Sequence, residues 1–480
     1  MMLDTTSALW WLLLFSVAYA SASILYARQR QGSLEDYVVA RNSQSSLATV
    51  LTLMASTLGA WILFSPAQAA TWGGLAAVIG YALGSMSPRL AMIPLGRRMR
   101  ELMPGGHTLT EFLLARYGRP LYALVLVIML FYMFIALTAE ITAIAKLVTL
   151  VAPIPLWTTA AIVMGCTLLY TAYGGLRTSI FTDKVHMVVV IPLLATLLFM
   201  GWRASGGAAS VIETLQAQQP RLLSLTDPIG IKADFTFLVA ILLTGLFHQG
   251  NWQRIYAARD SKSMQRGFLF GGMMVAPFIL VMGLFGLAFM AITPGGDSSV
   301  ALFEVVIRDV PAWFAVMLIF LGLSLVMSSA DTTICAISSI VAVDLGRLMP
   351  QASPARMLRL ARVLIFVTAI PVMAVAAQGY SVLYLFLLAD LLCSAAAFPV
   401  FYGLYSRRHD GFSATVATLA GLAAGLFMFP LPGQPMDHLL ESFLLAALVP
   451  VAVTAALRLL PRRQVHFDLG SLAQKVRKLG

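Results

Sequence analysis

Residues 47–70 read LATVLTLMASTLGAWILFSPAQAA, an apolar run with Gly59 in its middle and Pro66 towards its end. At the rise of an α-helix such a run is long enough to cross a bilayer, and its two helix-breaking residues imply that it crosses in pieces. A second run, opening at Phe235, loses its apolar character at His248-Gln249-Gly250-Asn251. Interrupted helices at corresponding places in two halves of a chain point to a binding site near the bilayer midplane. Glycine and proline are also ordinary in intact membrane helices, where neighbours satisfy the freed backbone groups. The polar residues at both interruptions and their equivalent positions favour the functional reading.

Counted outward from that run, thirteen apolar segments are predicted to span, approximately 8–27, 46–70, 73–95, 121–150, 155–173, 184–202, 234–257, 268–292, 312–343, 358–378, 381–405, 412–430 and 441–460. Of the 32 Lys and Arg, 26 lie in or beside alternate connections, beginning with the first and ending with the C-terminal tail. The other side holds Arg203, Arg221, Lys232 and Arg308, and Arg89 and Lys146 lie within spans. The positive-inside rule then places the N-terminus outside and the C-terminus in the cytoplasm. An all-α, polytopic protein of a plasma membrane, the inner membrane of a bacterium, is the expected class.

Composition agrees: 59% hydrophobic and 11% charged residues in a chain of 480 leave too little polar surface for a soluble globule. The net charge of +11 sits mostly on short cytoplasmic loops, where orientation and anionic headgroups account for it, so no nucleic-acid partner is expected. Cys166, Cys335 and Cys393 lack metal-ligand or disulfide spacing and read as small packing residues. Asp4 precedes the first segment and Arg28 and Arg30 follow it, the pattern of a retained helix rather than a signal peptide. In the tail, Leu469, Leu472, Val476 and Leu479 are spaced for a weakly amphipathic helix on the inner leaflet.

Setting aside the first span and the last two (412–460) leaves two groups of five, 46–202 and 234–405, within a single transporter domain that ends in a basic tail, 461–480. An odd number of spans per group requires the second to insert upside down relative to the first, the inverted repeat of many secondary transporters. Gly80 to Gly84 and Gly421 to Gly425 form GxxxG patterns that mark close helix packing.

The ninth span reads LIFLGLSLVMSSADTTICAISSIVAVDL and carries hydroxyls and a carboxylate deep in an apolar helix. Unpaired polar groups are costly there. The Ser328 and Ser329 hydroxyls, with the Leu325 carbonyl one turn earlier and carbonyls freed in a broken partner helix, would supply the oxygen ligands that hard cations take. Equally, such serines bond back to their own helix or join helices.

Four local patterns resemble the sodium/solute symporter family, which includes bacterial proline, sialic acid and sugar symporters. They are Leu34-Glu35-Asp36-Tyr37 with Ala40-Arg41; Gly174-Gly175-Leu176 with Thr182-Asp183; Gln249 with Gln253-Arg254 and Ala257-Ala258; and Ser328-Ser329-Ala330-Asp331-Thr332 closing on Asp344-Leu345. The resemblance implies a leucine-transporter-like inverted-repeat fold and sodium-coupled symport by alternating access, with Na⁺ as the coupling ion and no cofactor. It implies a sodium site at Ala55, Leu58, Leu325, Ser328 and Ser329, and in some members a second cation or proton site, here Asp183, Asp331 and Thr332. Asp331 could instead pair with Lys146, and Asp183 could be a helix N-cap. Glu140 and Lys146 share the fourth span without an assured pairing, and Asp390 reads as a structural hydrogen-bonding group. The solute site is expected beside the breaks, at Gln68, His248, Gln249, Asn251 and Trp252. His248 departs from the Asn or Asp common at its position, so no sugar or proline pocket can be copied across. A sensory input module and a proton-coupled or uncoupled carrier are the competing readings; no motif suggests an enzyme.

Overall fold

The structure, a computed structural model, describes residues 3–29, 33–307, 311–349, 351, 353–431, 434, 436–459 and 466–476. In chain order its α-helices are α1 (Thr5–Arg28), α2 (Leu34–Val38), α3 (Ser46–Thr57), α4 (Ser65–Leu102), α5 (Leu109–Tyr117), α6 (Arg119–Val151), α7 (Leu156–Ala204), α8 (Ala208–Gln218), α9 (Pro228–Gly245), α10 (Gln249–Ala257), α11 (Ser261–Ile292), α12 (Ala301–Val306), α13 (Ala312–Leu348), α14 (Pro354–Ala376), α15 (Val382–Phe401), α16 (Gly411–Met428) and α17 (Leu439–Leu459). Their starts are written in the sequence. Side chains of Asp4, Ser45, Thr108, Asp227, Asp260, Ser353, Ser381 and Asp410 each accept a bond from a backbone N–H of the first helical turn. Each satisfies one of the donors a helix leaves orphaned, a contribution of about 1 kcal/mol.

Among the described residues, eleven helices are long and apolar enough to cross a membrane, and α3 is a shorter apolar helix. The count differs from the thirteen predicted segments because two long helices each take up two of them. α4 continues from the end of the 46–70 run through 73–95 with a kink at Gly74 (φ 63°, ψ −155°), and α7 covers 155–173 and 184–202 with a kink at Gly175 (φ 60°, ψ −159°). At Gly175 an added Cβ would lie 2.3 Å from the Tyr37 ring, so left-handed φ and close approach both demand glycine.

The most enclosed spanning helix is α13, with 78% of its apolar window buried inside the protein; α15 follows at 72%, while α1 and α16 reach only 28%. The serine-rich helix is therefore the centre of the bundle, and the outer helices present their apolar faces outwards, as a lipid solvent requires. Both GxxxG patterns lie at tight crossings: a Cβ on Gly80 or Gly84 would meet the backbone of α9, and one on Gly421 or Gly425 would meet α17.

Three expectations change. Arg254, counted with the cytoplasmic charges, is 1% exposed inside the bundle. Asp183 is no N-cap: it lies in the interior of α7, wholly buried. The tail does not lie on a leaflet as an amphipathic helix. Residues Leu469–Lys475 form a 3₁₀ turn whose Leu469 and Leu472 are buried in the protein, while Lys475 Nζ donates to the Ala115 carbonyl at 3.2 Å and the Arg116 guanidinium covers the Phe467 ring at 4.4 Å. Apolar surface on α4 and α5 competes better for those leucines than lipid does. Leu479 lies outside the described residues.

Candidate functional site

The first interruption falls where Gly59 announces it. α3 ends at Thr57, Leu58 and Gly59 are non-helical, Ala60–Leu63 form a 3₁₀ turn, and α4 begins at Ser65. The freed backbone needs partners. Glu140, from the middle of α6, accepts the Ala60 N–H through Oε2 at 2.7 Å. A Cβ on Gly59 would sit 1.8 Å from Glu140 Oε1, so glycine is what allows the carboxylate to reach the break.

The second interruption spans Leu246 to His248, between α9 and α10. Here the polar residues serve the break itself. His248 Nδ1 accepts the Gly250 N–H at 3.1 Å, Asn251 Nδ2 donates to the Gly245 carbonyl at 3.0 Å, and Trp252 Nε1 donates to the Leu246 carbonyl at 2.8 Å.

Ser328, on α13, turns its hydroxyl towards α3 of the first broken helix. Its hydroxyl is 3.0 Å from the Ala55 carbonyl and 3.2 Å from the Leu325 carbonyl, and the Ser329 hydroxyl is 3.1 Å from the same Leu325 oxygen. Four of the five residues expected at a sodium site are thus joined by their oxygens, and the fifth, Leu58, is fully buried at the end of α3. Neutral hydroxyl and carbonyl oxygens of this kind suit a hard monovalent cation. Among the described residues no group of three or more His, Cys, Asp or Glu could hold a metal ion.

The Asp183, Asp331 and Thr332 group is occupied differently. Arg254 Nη2 lies 2.9 Å from Asp183 Oδ2 and 2.8 Å from Thr332 Oγ1, and Arg254 Nε is 3.0 Å from Thr52 Oγ1, which also bonds to Asp183. Asp331 takes three hydroxyl donors, Ser179 at 2.7 Å, Thr182 at 2.8 Å and Tyr170 at 3.1 Å. Lys146 is elsewhere, with its Nζ 3.5 Å from Ser299 Oγ, and pairs with neither Asp331 nor Glu140.

A central cavity opens beside the two breaks, with about 110 Å³ available to the centres of water-sized atoms, the scale of a small metabolite. Each wall is a helical stripe at i, i+4 spacing. α4 contributes Tyr81, Ser85 and Arg89; α6 contributes Tyr132, Ala136 and Glu140; α13 contributes Ser329 and Thr333; and α15 contributes Phe386 and Asp390. The breaks add Ser56, Thr57, Trp61, His248 and Asn251.

Of the residues expected to hold solute, His248 and Asn251 line this cavity, and Gln68, Gln249 and Trp252 do not. Gln68 Oε1 accepts from Ser381 Oγ at 2.9 Å between α4 and α15. Gln249 faces the α4–α5 connection, donating to the His107 carbonyl and accepting the Leu109 N–H, both at 3.0 Å. Trp252 stacks on Phe401. Sequence reasoning placed Arg89, Glu140 and Asp390 within spans but not in the solute site. The signal available was their rarity: an ionisable residue in a spanning helix is a functional candidate by default.

Comparison with known proteins bears on the family and the fold. The spermidine transporter DUR31 of Candida albicans is 24% identical over 428 residues, covering 86% of this chain and 78% of that protein. The sodium/pantothenate symporter of Escherichia coli is 27% identical over 291 residues, 56% of this chain and 58% of that protein. A solved Na⁺-coupled sialic acid symporter in a substrate-bound outward-open state shares the fold, with a TM-score of 0.75 at 19% identity over 95% of this chain and 99% of the other. The family model for sodium:solute symporters matches residues 37–421, most of the chain, which therefore belongs to the sodium:solute symporter family.

Proposed function

We propose that the chain imports a small polar organic solute together with sodium, by alternating access across the inner membrane of a bacterium. The observation that carries this reading is the Ser328 hydroxyl set between the Ala55 and Leu325 carbonyls, beside a cavity that a solute can enter. In it, Na⁺ is held by the carbonyl oxygens of Ala55, Leu58 and Leu325 and by the Ser328 and Ser329 hydroxyls. Because these oxygens belong to both α3 and α13, an ion between them favours the arrangement in which the first broken helix is docked on the central helix.

The same proposal takes 46–202 and 234–405 as inverted repeats within thirteen crossings, N-terminus outside and C-terminus in the cytoplasm. Gly74 and Gly175 kinks support it, since each falls where one predicted segment gives way to the next. One sodium per cycle is the proposed stoichiometry. A second cation at Asp183, Asp331 and Thr332 would have to displace the Arg254 guanidinium, which already supplies the positive charge there. One ion suffices energetically. Moving one charge through about 100 mV is worth about 2.3 kcal/mol, and a roughly tenfold sodium gradient adds about 1.4 kcal/mol. Together they support accumulation of an uncharged solute by a few hundredfold, on the order of RT ln of that ratio.

Uptake of radiolabelled solutes into proteoliposomes, with and without an inward sodium gradient, tests the reading. Uptake that is indifferent to sodium rejects it.

A further inference from the structure

The cavity is lined by an arginine and a carboxyl group that do not pair with each other. Arg89, on α4, uses Nη1 to bond the Ser85 carbonyl and Nη2 to bond Thr57 Oγ1, while its buried Nε has no partner. Asp390, on α15, is 6% exposed. Among the described residues neither has an ion-pair partner, so they stand more than the 4.0 Å of an ion pair apart across the same space. Tyr132 of α6 lines the same space. A second carboxyl group, Glu140, is committed to the Ala60 N–H of the first break.

Leaving an arginine and a carboxyl group without ionic partners in a membrane-embedded cavity is costly, and natural proteins relieve such a cost by pairing the groups or by binding something complementary. Here the helices keep the two apart, so the complement must come from the cargo. The walls add to the description. Trp61 stacks on Tyr81 and meets Phe386 edge to face, 5.8 Å from each ring centroid, and aromatic faces of this kind accept a cation. His248 Nδ1 accepts a backbone N–H, so in the neutral ring the proton is on Nε2, which can donate to an acceptor in the cavity.

We propose that the solute is a small zwitterion of the amino-acid type, its carboxylate on Arg89 and its ammonium on Asp390 among the aromatic faces. This rests on the symport reading for the direction of transport but not for the recognition chemistry. It explains why the cavity needs no counter-ion of its own: the bound solute neutralises both poles at once and adds no net charge to the bilayer interior. A polyamine would meet Arg89 with like charge, and a sugar or urea would leave both poles unpaired.

The test uses the purified full chain in nanodiscs with sodium present, measuring thermal stabilisation and competition between ligands. The probes are L-proline, L-alanine and 4-aminobutyrate; prolinamide, propionate and propylamine, which keep one charge; and glucose, urea and spermidine. At least one of the first three is expected to stabilise the protein, with each one-charge probe weaker by roughly tenfold to a hundredfold, the worth of a charge-assisted hydrogen bond. Arg89→Gln should weaken the zwitterion by a similar factor while binding prolinamide as well as the unaltered chain does, and Asp390→Asn should weaken it too. If a variant does not fold, the nine probes on the unaltered chain still decide. Response to glucose, urea or spermidine alone, equal binding of proline and prolinamide, or no response to any zwitterion overturns the proposal. Sodium-driven uptake of glucose or spermidine would leave symport standing while removing the zwitterion. Zwitterion binding followed by uptake unchanged without sodium would do the reverse.

Discussion

Arg254, at the end of the broken helix of the second half, and Asp183, in the interior of α7, form a 2.9 Å ion pair with both side chains fully buried. The guanidinium also holds Thr52 of α3 and Thr332 of α13, so one side chain ties both broken helices to the central helix. A buried pair of this kind adds little net stability over an apolar replacement, yet breaking it strands a charge.

Arg254→Gln should therefore destabilise the protein by about 3–5 kcal/mol, and Asp183→Asn in the same chain should recover part of the loss. Melting temperatures of the two single variants and the double variant in one detergent form the cycle. A double variant as unstable as the sum of the singles would show that the pair is not coupled.

Ser328→Ala removes the hydroxyl that faces both the Ala55 and Leu325 carbonyls. If these oxygens hold sodium, the ligand lost is worth about 1–2 kcal/mol, and the sodium concentration for half-maximal uptake should rise roughly fivefold to thirtyfold. Ser329→Ala should act in the same direction. Solute affinity at saturating sodium should change less, a contrast measurable in initial-rate uptake.

Glu140 serves the first break by accepting the Ala60 N–H. Glu140→Gln keeps a carbonyl oxygen in place and should preserve folding and most transport. Glu140→Ala orphans a buried N–H at a cost of about 1–3 kcal/mol, and Gly59→Ala would collide with the carboxylate. Expression yield and monodispersity of the three variants should fall in that order, with Gln the mildest.

Arg41 pairs with Glu35 and donates to the carbonyls of Pro104 and Gly106, closing the first loop on the α4–α5 connection. Burial alone would raise the Glu35 carboxyl, but Arg41 and then His107 outweigh it and hold it below its ordinary value of 4.5. A depressed carboxylate contributes stability that is complete above its ordinary value and is lost only as pH falls through the lower folded value. The Glu35 carboxyl itself should thus impose no pH dependence on uptake between about pH 5.5 and 8. Arg41→Ala should loosen this end of the bundle and speed alkylation of the buried Cys335, whose carbonyl Gln253 touches, by a membrane-permeant maleimide.

Much of the architecture was legible in the residues alone. A run such as 47–70, apolar for a bilayer's thickness, cannot be solvated except by lipid, and glycine at 59 marks where its helix ends because no side chain there restrains the backbone. The serine pair was legible for the same reason: hydroxyls deep in an apolar helix must find oxygen or nitrogen partners, and the α13 carbonyl of Leu325 was one turn away.

What only the folded chain decided was which way each helix faces. α6 and α15 are apolar nearly all round, so no stripe in their sequences distinguishes the side that meets the cavity from the side that packs. Glu140 and Asp390 thus read as isolated polar residues until α4 brought Arg89 to the same space. Gln249 and Trp252 misled in the opposite way, because backbone groups that no sequence pattern numbers, those of the α4–α5 connection for Gln249 and of the second break for Trp252, claimed their hydrogen bonds first. Chain chemistry sets which groups must be satisfied; long-range packing alone selects the partner.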